Sequence, residues 1–391
     1  MKKRIFILGH WMKIDGVATS LLGLLKSLDY SRVEVDLMLM SVEGELREEI
    51  PSEVNLLKTH PAVAQYWGSK CARYASAKIL HIVALCVAGV WYRLLRRMKI
   101  DKYGLSLISG FLFCLILPRR IVPDEYDLAL FFSCEPFLVG RVNARKSVVW
   151  VHSDFGMFSP VRYLLNLGFG RADYIVNVSV EAKASFDRYL TCENKKKSIV
   201  VENCISQSWI KSKANAFDVE KGHGLRILSV GRVSPPKNYF RALEAAKILA
   251  ARGASFTWIV VGNGESLNAL KSAVENAELD DSFQMVGLQT NPYPYYEWCD
   301  LLVCTSDWEG KSVAVREAQI FAKPVVVTKF PTAASQVEDG VDGLLVDRTP
   351  EAVAEGIIRL MDDSALREKL SANCRRRDYT NLGEIDKILA L

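Results

Sequence analysis

The sequence predicts an α/β protein built from two doubly wound parallel sheets, each flanked by helices. Three observations carry this reading. The chain has 391 residues, enough for two domains of roughly 150–200 each. Short apolar runs alternate with helix-like stretches through both halves, the pattern of a parallel sheet with helices on its faces. Around Ser206 to Gly224 the alternation lapses into polar residues, including Lys211, Lys213, Lys221, Gly222 and Gly224. Residues 206–224 therefore read as a linker, between a domain over 1–205 and a second over 225–375.

In the first half, apolar runs predict strands at 4–8, 33–40, 128–132, 147–151 and 174–178. Leucines at 21, 22, 25 and 28 predict a helix over 18–28. In the second half, strands are expected at 226–230, 257–261, 283–286, 301–304, 324–328 and 343–346. Helices are expected at 239–252, 267–276, 312–321 and 350–361. Parallel strands covered on both faces read as continuous apolar runs, as Leu301 to Cys304 and Pro324 to Thr328 do. Two such domains joined by a linker place a ligand between them, at the carboxyl ends of strands.

Composition narrows the class. Half the residues are hydrophobic and 24% are charged, as in a globular chain. The nine cysteines form no Cys-x-x-Cys pair and none sits near a histidine at metal-ligand spacing. Neither a disulfide framework nor a zinc site is indicated, and a reducing, cytosolic compartment fits. The N-terminal 1-MKKRIFILGHW-11 has too short an apolar run for a signal peptide and reads as a first strand. The net charge of +5 is unevenly spread: Lys70 to Arg120 holds ten Lys or Arg and one acid, Asp101. Within that basic field lie two uncharged runs, 79–92 and 103–118, both shorter than the roughly 20 residues that span a bilayer. Segment 70–120 is expected to lie against a membrane surface; buried core helices with a basic connection are the alternative. Nucleic acid is not an expected partner, because the segment is apolar.

Chemistry is sought in the loops at strand ends. The loop 305-TSDWEGKSVAVRE-317 holds Gly310-Lys311-Ser312 before a helix, as a phosphate loop of ATPases does. That loop needs a glycine five residues earlier, where this chain has Thr305, and Trp308 and Glu309 crowd the turn. A helix start after a strand still favours anions. Glu309 and Glu317, one in the loop and one in the helix, are expected to face one crevice. In 231-GRVSPPKNYF-240, Arg232 and Lys237 flank a Pro-Pro turn, either a clamp for a diphosphate or two exposed cations. Gly16 would let a phosphate approach the first helix, or serves a tight turn. The sequence 262-GNGES-266 reads as a plain turn. His152 ends an apolar strand in 150-WVHSDF-155, which raises it above His10 as a candidate. His60, His81 and His223 carry no such argument. No Asp-x-Asp metal motif is present, so a phosphate site here relies on cations and helix N-termini.

These residues resemble family 4 glycosyltransferases, retaining enzymes of the GT-B fold. The most specific element is Glu309-x7-Glu317 with 318-AQIFAKPVVVT-328. In family order stand also 230-VGRVSPPKN-238, 286-VGLQTNPYPYYEWCDLLVCTS-306 and 338-EDGVDGLLVD-347. At the N-terminus, 30-YSRVEVDLMLMSVEGELREEIP-51 and 150-WVHSDF-155 are similar to the subgroup that builds capsule, exopolysaccharide and O-antigen chains. The resemblance implies two Rossmann-like domains facing a central cleft, the first on the acceptor side and the second binding a nucleotide-sugar. It implies that Arg232 and Lys237 neutralise the donor's diphosphate, helped by Gly16 and the N–H groups of Gly310, Lys311 and Ser312. Glu317 would hold the ribose, Glu309 would face the donor sugar, and His152 would contact the sugar or the reacting centre. Leu288 to Thr290 would line the base pocket. Two departures from the family are 14-IDGV-17, where many relatives carry two glycines, and Lys311-Ser312, where large apolar residues are common. The tail 381-NLGEIDKILAL-391 looks like the family's final helix, so residues 376–391 are expected to pack on the first domain.

The expected function is transfer of a sugar, UDP-linked by preference, to a lipid-linked or growing oligosaccharide in cell-surface polysaccharide synthesis. No metal and no cofactor are expected, since the nucleotide-sugar is a substrate. The expected place is the inner face of the cell membrane, held peripherally through 70–120. The alternatives are an epimerase-like enzyme of the same fold, a P-loop ATPase or kinase, and a non-catalytic partner protein.

Overall fold

The structure, a computed structural model, describes residues 2–41, 43–60, 63, 111, 114, 119–133, 136–152, 162–220 and 222–391. The membrane expectation for 70–120 thus falls almost wholly outside the described residues. Among those described, no helix is long and apolar enough to cross a membrane. The chain forms two compact units: unit 1 is Met1–Asn203 with Gly383–Leu391, and unit 2 is Cys204–Leu382.

In unit 1, strands β1 (Lys3–Gly9), β2 (Val33–Leu39), β3 (Asn55–Leu57), β4 (Glu125–Phe131), β5 (Asn143–Val151), β6 (Tyr174–Asn177) and β7 (Ser198–Val200) form one sheet. Their order is β3-β2-β1-β4-β5-β6-β7, and the described pairings are parallel. Strand β1 is central, with Ile7 opposite Leu37 on one side and Leu130 on the other. That position explains why Phe6, Ile7 and Leu8 are fully buried. The helix Gly16–Ser27 starts where the Asp15 carboxylate accepts from the N–H groups of Val17 and Ala18, each at 2.9 Å. An acidic cap satisfies donors that have no partner within the helix. Leu21, Leu22, Leu24 and Leu25 form its buried face.

Unit 2 holds β8 (Leu225–Val230), β9 (Phe256–Val261), β10 (Phe283–Gly287), β11 (Leu301–Cys304), β12 (Val325–Thr328) and β13 (Gly343–Val346). Their order is β10-β9-β8-β11-β12-β13, again parallel. Alternate residues feed two separate cores. Ile227, Trp258, Val260, Leu301 and Val303 pack on one face, and Leu228, Ile259, Val261, Leu302 and Val327 on the other. The period of two along each strand produces that split. The strand order reverses between β8 and β11, and a crevice opens at such a point beyond the strands' carboxyl ends.

Several elements went unread in the sequence. Strands β3 and β7 are three residues each. The helices Arg162–Phe169, Val180–Asp187, Tyr293–Trp298 and Ser364–Arg376 were also missed. Residues 206–224 are not featureless, because Gln207–Ser212 is a short helix and unit 2 begins at Cys204. The final helix is Gly383–Ala390. Lys3 Nζ donates to the Leu389 carbonyl at 2.6 Å, and Glu384 accepts from the Glu202 N–H at 3.2 Å.

Candidate functional site

Two loops flank the order reversal in unit 2: residues 231–238 after β8 and 305–312 after β11. They are laced together. Thr305 Oγ1 donates to the Lys237 carbonyl at 3.1 Å, and the Asp307 N–H donates to the Pro236 carbonyl at 2.8 Å. Asn238 sits in the left-handed region (φ 48°) and caps the helix Tyr239–Ala251. Its amide donates to Asp307 at 3.0 Å. Arg241, one turn into that helix, donates to the Thr305 carbonyl at 2.6 Å and to Asp307 at 2.7 Å.

This lacing brings Lys237 and Glu309 into an ion pair through Lys237 Nζ and Glu309 Oε1. The side chains are only 23% and 13% exposed. Ser306 Oγ donates to the same carboxylate oxygen at 2.7 Å, and Thr332 Oγ1 donates to the Glu309 carbonyl at 2.8 Å. Burial is the largest influence on the Lys237 pKa and acts to lower it, but the Glu309 carboxylate together with Cys304 outweighs it and the net shift is upward. Lys237 is therefore a charged ammonium at neutral pH. Arg232 lies exposed in the same loop.

Glycines set the loop's path. A Cβ on Gly262 would sit 1.9 Å from the Gly231 carbonyl oxygen, and one on Gly264 2.2 Å from that of Val233. The Ser266 N–H donates to the Val233 carbonyl at 3.0 Å. The Gly-x-Gly of 262–264 is thus a turn that lets two backbones meet, and it supports the Lys237 loop from below.

Glu317 is placed differently from Glu309. It is 4% exposed, and its two oxygens accept from Tyr293 at 3.1 Å and Tyr296 at 2.7 Å. Burial pushes its pKa up to about 7, against the pull of the two tyrosine hydrogen bonds. Ser312 is 2% exposed, and its N–H donates to Gln336 Oε1 at 2.7 Å. That donor is already engaged. Gly310 is buried and Lys311 is half-buried beside it. Leu288 follows β10 and is 44% exposed. A separate cavity of about 870 Å³ lies near Asp300, Lys323 and Pro324, at the opposite, amino-terminal ends of β11 and β12.

In unit 1, His152 lies just past the carboxyl end of β5. Its ring packs 4.8 Å from that of Phe132 and stacks 6.2 Å from that of Trp150. Nε2 is buried with no hydrogen-bond partner among the described residues. Burial lowers its pKa to about 4, opposed by a hydrogen bond to the Phe132 backbone. The imidazole is therefore neutral at pH 7. His10, past β1, stacks on Trp11 at 4.0 Å, and burial likewise lowers its pKa to about 4. A Cβ on the exposed Gly16 would meet nothing within 4 Å, so packing does not demand the glycine. Asp15 already takes two N–H groups of the helix behind it. Among the described residues no three His, Cys, Asp or Glu side chains gather as a metal site.

The structure thus joins Lys237 to Glu309 with Arg232 in the same loop, and buries Glu317 and Ser312 in other bonds. Sequence reading missed Arg241, Ser306, Tyr293 and Tyr296. None of the four carried a sequence signal for its contact: Tyr293 and Tyr296 stand 24 and 21 residues from the Glu317 they bond.

Residues 212–377 match the family described as "Glycosyl transferases group 1". The amylovoran biosynthesis glycosyltransferase AmsK of Erwinia amylovora is 31% identical over 150 residues, 36% of this chain and 37% of that protein. The UDP-Gal:alpha-D-GlcNAc-diphosphoundecaprenol alpha-1,3-galactosyltransferase of Escherichia coli is 24% identical over 73% of this chain and 80% of its own length. Among solved structures, Anabaena HepE in complex with UDP-glucose superposes with a TM-score of 0.68 at 17% identity, covering 99% of both chains. The two-unit plan is the GT-B fold.

Proposed function

We propose, from the premise that this chain belongs to the group 1 glycosyltransferases, that it moves a sugar from a UDP-sugar to a lipid-linked saccharide with retention of anomeric configuration. The observation that carries the site assignment is the buried Lys237–Glu309 pair, held where the strand order of unit 2 reverses. In this reading Lys237 and Arg232 take the diphosphate, where negative charge grows as the donor bond breaks. Glu309 faces the donor sugar and Glu317 the ribose. His152 offers a neutral imidazole with a free nitrogen to the sugar or the acceptor. The lipid-linked acceptor is supported by the E. coli relative, whose name carries a diphosphoundecaprenol acceptor. The UDP donor is supported by that name and by the UDP-glucose complex of the Anabaena protein. Segment 70–120 would hold the enzyme at the membrane that carries the acceptor.

Retention by a covalent intermediate needs a positioned nucleophile. Glu309 is bound to Lys237 and Ser306, and Glu317 to two tyrosines. Same-face attack is therefore favoured. The acceptor oxygen bonds to the anomeric carbon as the phosphate oxygen leaves, and that oxygen takes the acceptor's proton. Lys237 and Arg232 hold the leaving group through this step.

The test is thermal stabilisation of the purified chain by UDP, GDP, ADP and ATP, each with and without magnesium. The expected result is a shift with UDP that survives chelator and disappears in Arg232→Ala. A shift with ATP and magnesium alone would overturn the donor-site reading. Incubation with UDP-sugars and a diphosphoprenyl-linked saccharide, with the product's anomeric configuration read by NMR, tests the retaining step. Trapping of a glycosyl-Glu309 adduct would sink same-face attack.

A further inference from the structure

Two features of the Lys237–Glu309 pair go beyond holding a diphosphate. Both partners recorded for the carboxylate, Lys237 and Ser306, bond the same oxygen, Oε1. Oε2 accepts from no side chain among the described residues and is not fully buried. The lysine that would meet an incoming diphosphate is also the counterion of a carboxylate that is 13% exposed. Two anions thus compete for one ammonium. Separating a largely buried pair is costly, because the remaining charge is left uncompensated in a poorly solvated place.

We propose that Glu309 makes the site discriminate an intact nucleotide-sugar from the nucleoside diphosphate left after transfer. The proposal rests on the donor-site reading above. A nucleoside diphosphate draws Lys237 away and strands the Glu309 carboxylate with Ser306 alone. A nucleotide-sugar draws Lys237 away in the same manner but brings hydroxyl donors for the vacated Oε1 and the open Oε2. The sugar therefore restores what the diphosphate removes. Once the sugar has moved to the acceptor, Glu309 reclaims Lys237 and loosens the product. Glu309 is then a specificity-determining residue that acts on ligand exchange as well as on sugar contact.

Calorimetric titration of the full chain with UDP and with UDP-glucose, without acceptor, tests this. In Glu309→Gln the neutral amide cannot hold Lys237 as a counterion. The expected result is UDP affinity at least tenfold above the unmodified chain and a lower ratio of UDP-glucose to UDP affinity. In the double variant Lys237→Met/Glu309→Gln, the gain in UDP affinity over Lys237→Met alone should vanish. Ser306→Ala removes the other donor from Oε1, so it should weaken UDP binding. This third variant keeps the test alive if Glu309→Gln fails to fold. Unchanged or weaker UDP binding by folded Glu309→Gln, with binding still lost in Arg232→Ala, would overturn the exchange and leave the donor site standing. A gain that persists without Lys237 would overturn it too. Absence of UDP, GDP and ADP binding by the unmodified chain and by Glu309→Gln would overturn both readings.

Discussion

Glu317 shows how burial sets the behaviour of one side chain. Its pKa stands near 7 instead of the ordinary 4.5, because burial outweighs the two tyrosine donors. A carboxyl whose pKa rises on folding favours the folded chain fully below the ordinary value. That contribution is lost as the pH climbs through the folded value. The window is therefore pH 4.5 to 7, and the contribution amounts to about 3 kcal/mol. Melting curves across this window should show the unmodified chain losing stability relative to Glu317→Gln as pH rises. Parallel curves would refute the shift. Tyr296→Phe removes a donor from a buried acceptor and should cost roughly 1–3 kcal/mol at pH 8, read by denaturant unfolding. His152 has the opposite sign. Its pKa falls from 6.5 to about 4, so its contribution is present above pH 6.5 and fades as the pH drops toward 4. Its ring proton signals should not titrate between about pH 5.5 and 8, and a midpoint near 6.5 would contradict the burial.

At the scale of elements, the site depends on loops stitched by residues far apart in sequence. Arg241 lies 64 residues from Thr305 and 66 from Asp307. Arg241→Ala should cost about 2 kcal/mol and lower the melting point of unit 2 by roughly 4–8 °C. It should also weaken UDP binding, since the strand-end loop carrying Glu309 loses its brace. Gly264→Ala places a methyl group 2.2 Å from the Val233 carbonyl oxygen, so the loop bearing Lys237 must move. The expected loss in UDP affinity is about tenfold or more, measured by titration. Unaltered binding in both variants would place the diphosphate elsewhere. The sequence displayed the strands plainly, because Leu301–Cys304 and Val325–Thr328 are apolar runs, the first bounded by Asp300 and Thr305 and the second by Pro324 and Lys329. Glu309 and Lys237 stood out as charges at strand ends. What stayed hidden has no local period. Ser306 and Arg241 earn their places through partners on other elements, and Asp15 reads equally as a loop residue or a helix cap. The tyrosine clasp on Glu317 spans 21 and 24 residues, a separation at which composition says nothing of contact.

For the whole molecule, the two units have separate cores and one discontinuous chain path. Calorimetry should resolve two unfolding transitions. UDP at a hundred times its dissociation constant should stabilise the unit 2 transition by about 2.7 kcal/mol and leave the other in place. Deleting residues 383–391 removes the Lys3 and Glu202 bonds to the last helix and should lower only the unit 1 transition. A single transition that moves with both changes would show the units unfold as one. The final helix also fixes an order of events during synthesis. Unit 2 is contiguous from Cys204 to Leu382, so a ribosome delivers all of it before the helix Gly383–Ala390 that unit 1 requires. The unit made first is completed last. A nascent chain halted anywhere in unit 2 carries a first unit that lacks this helix, and the edge near Lys3 and Glu202 stays uncovered until residues 383–390 have been made.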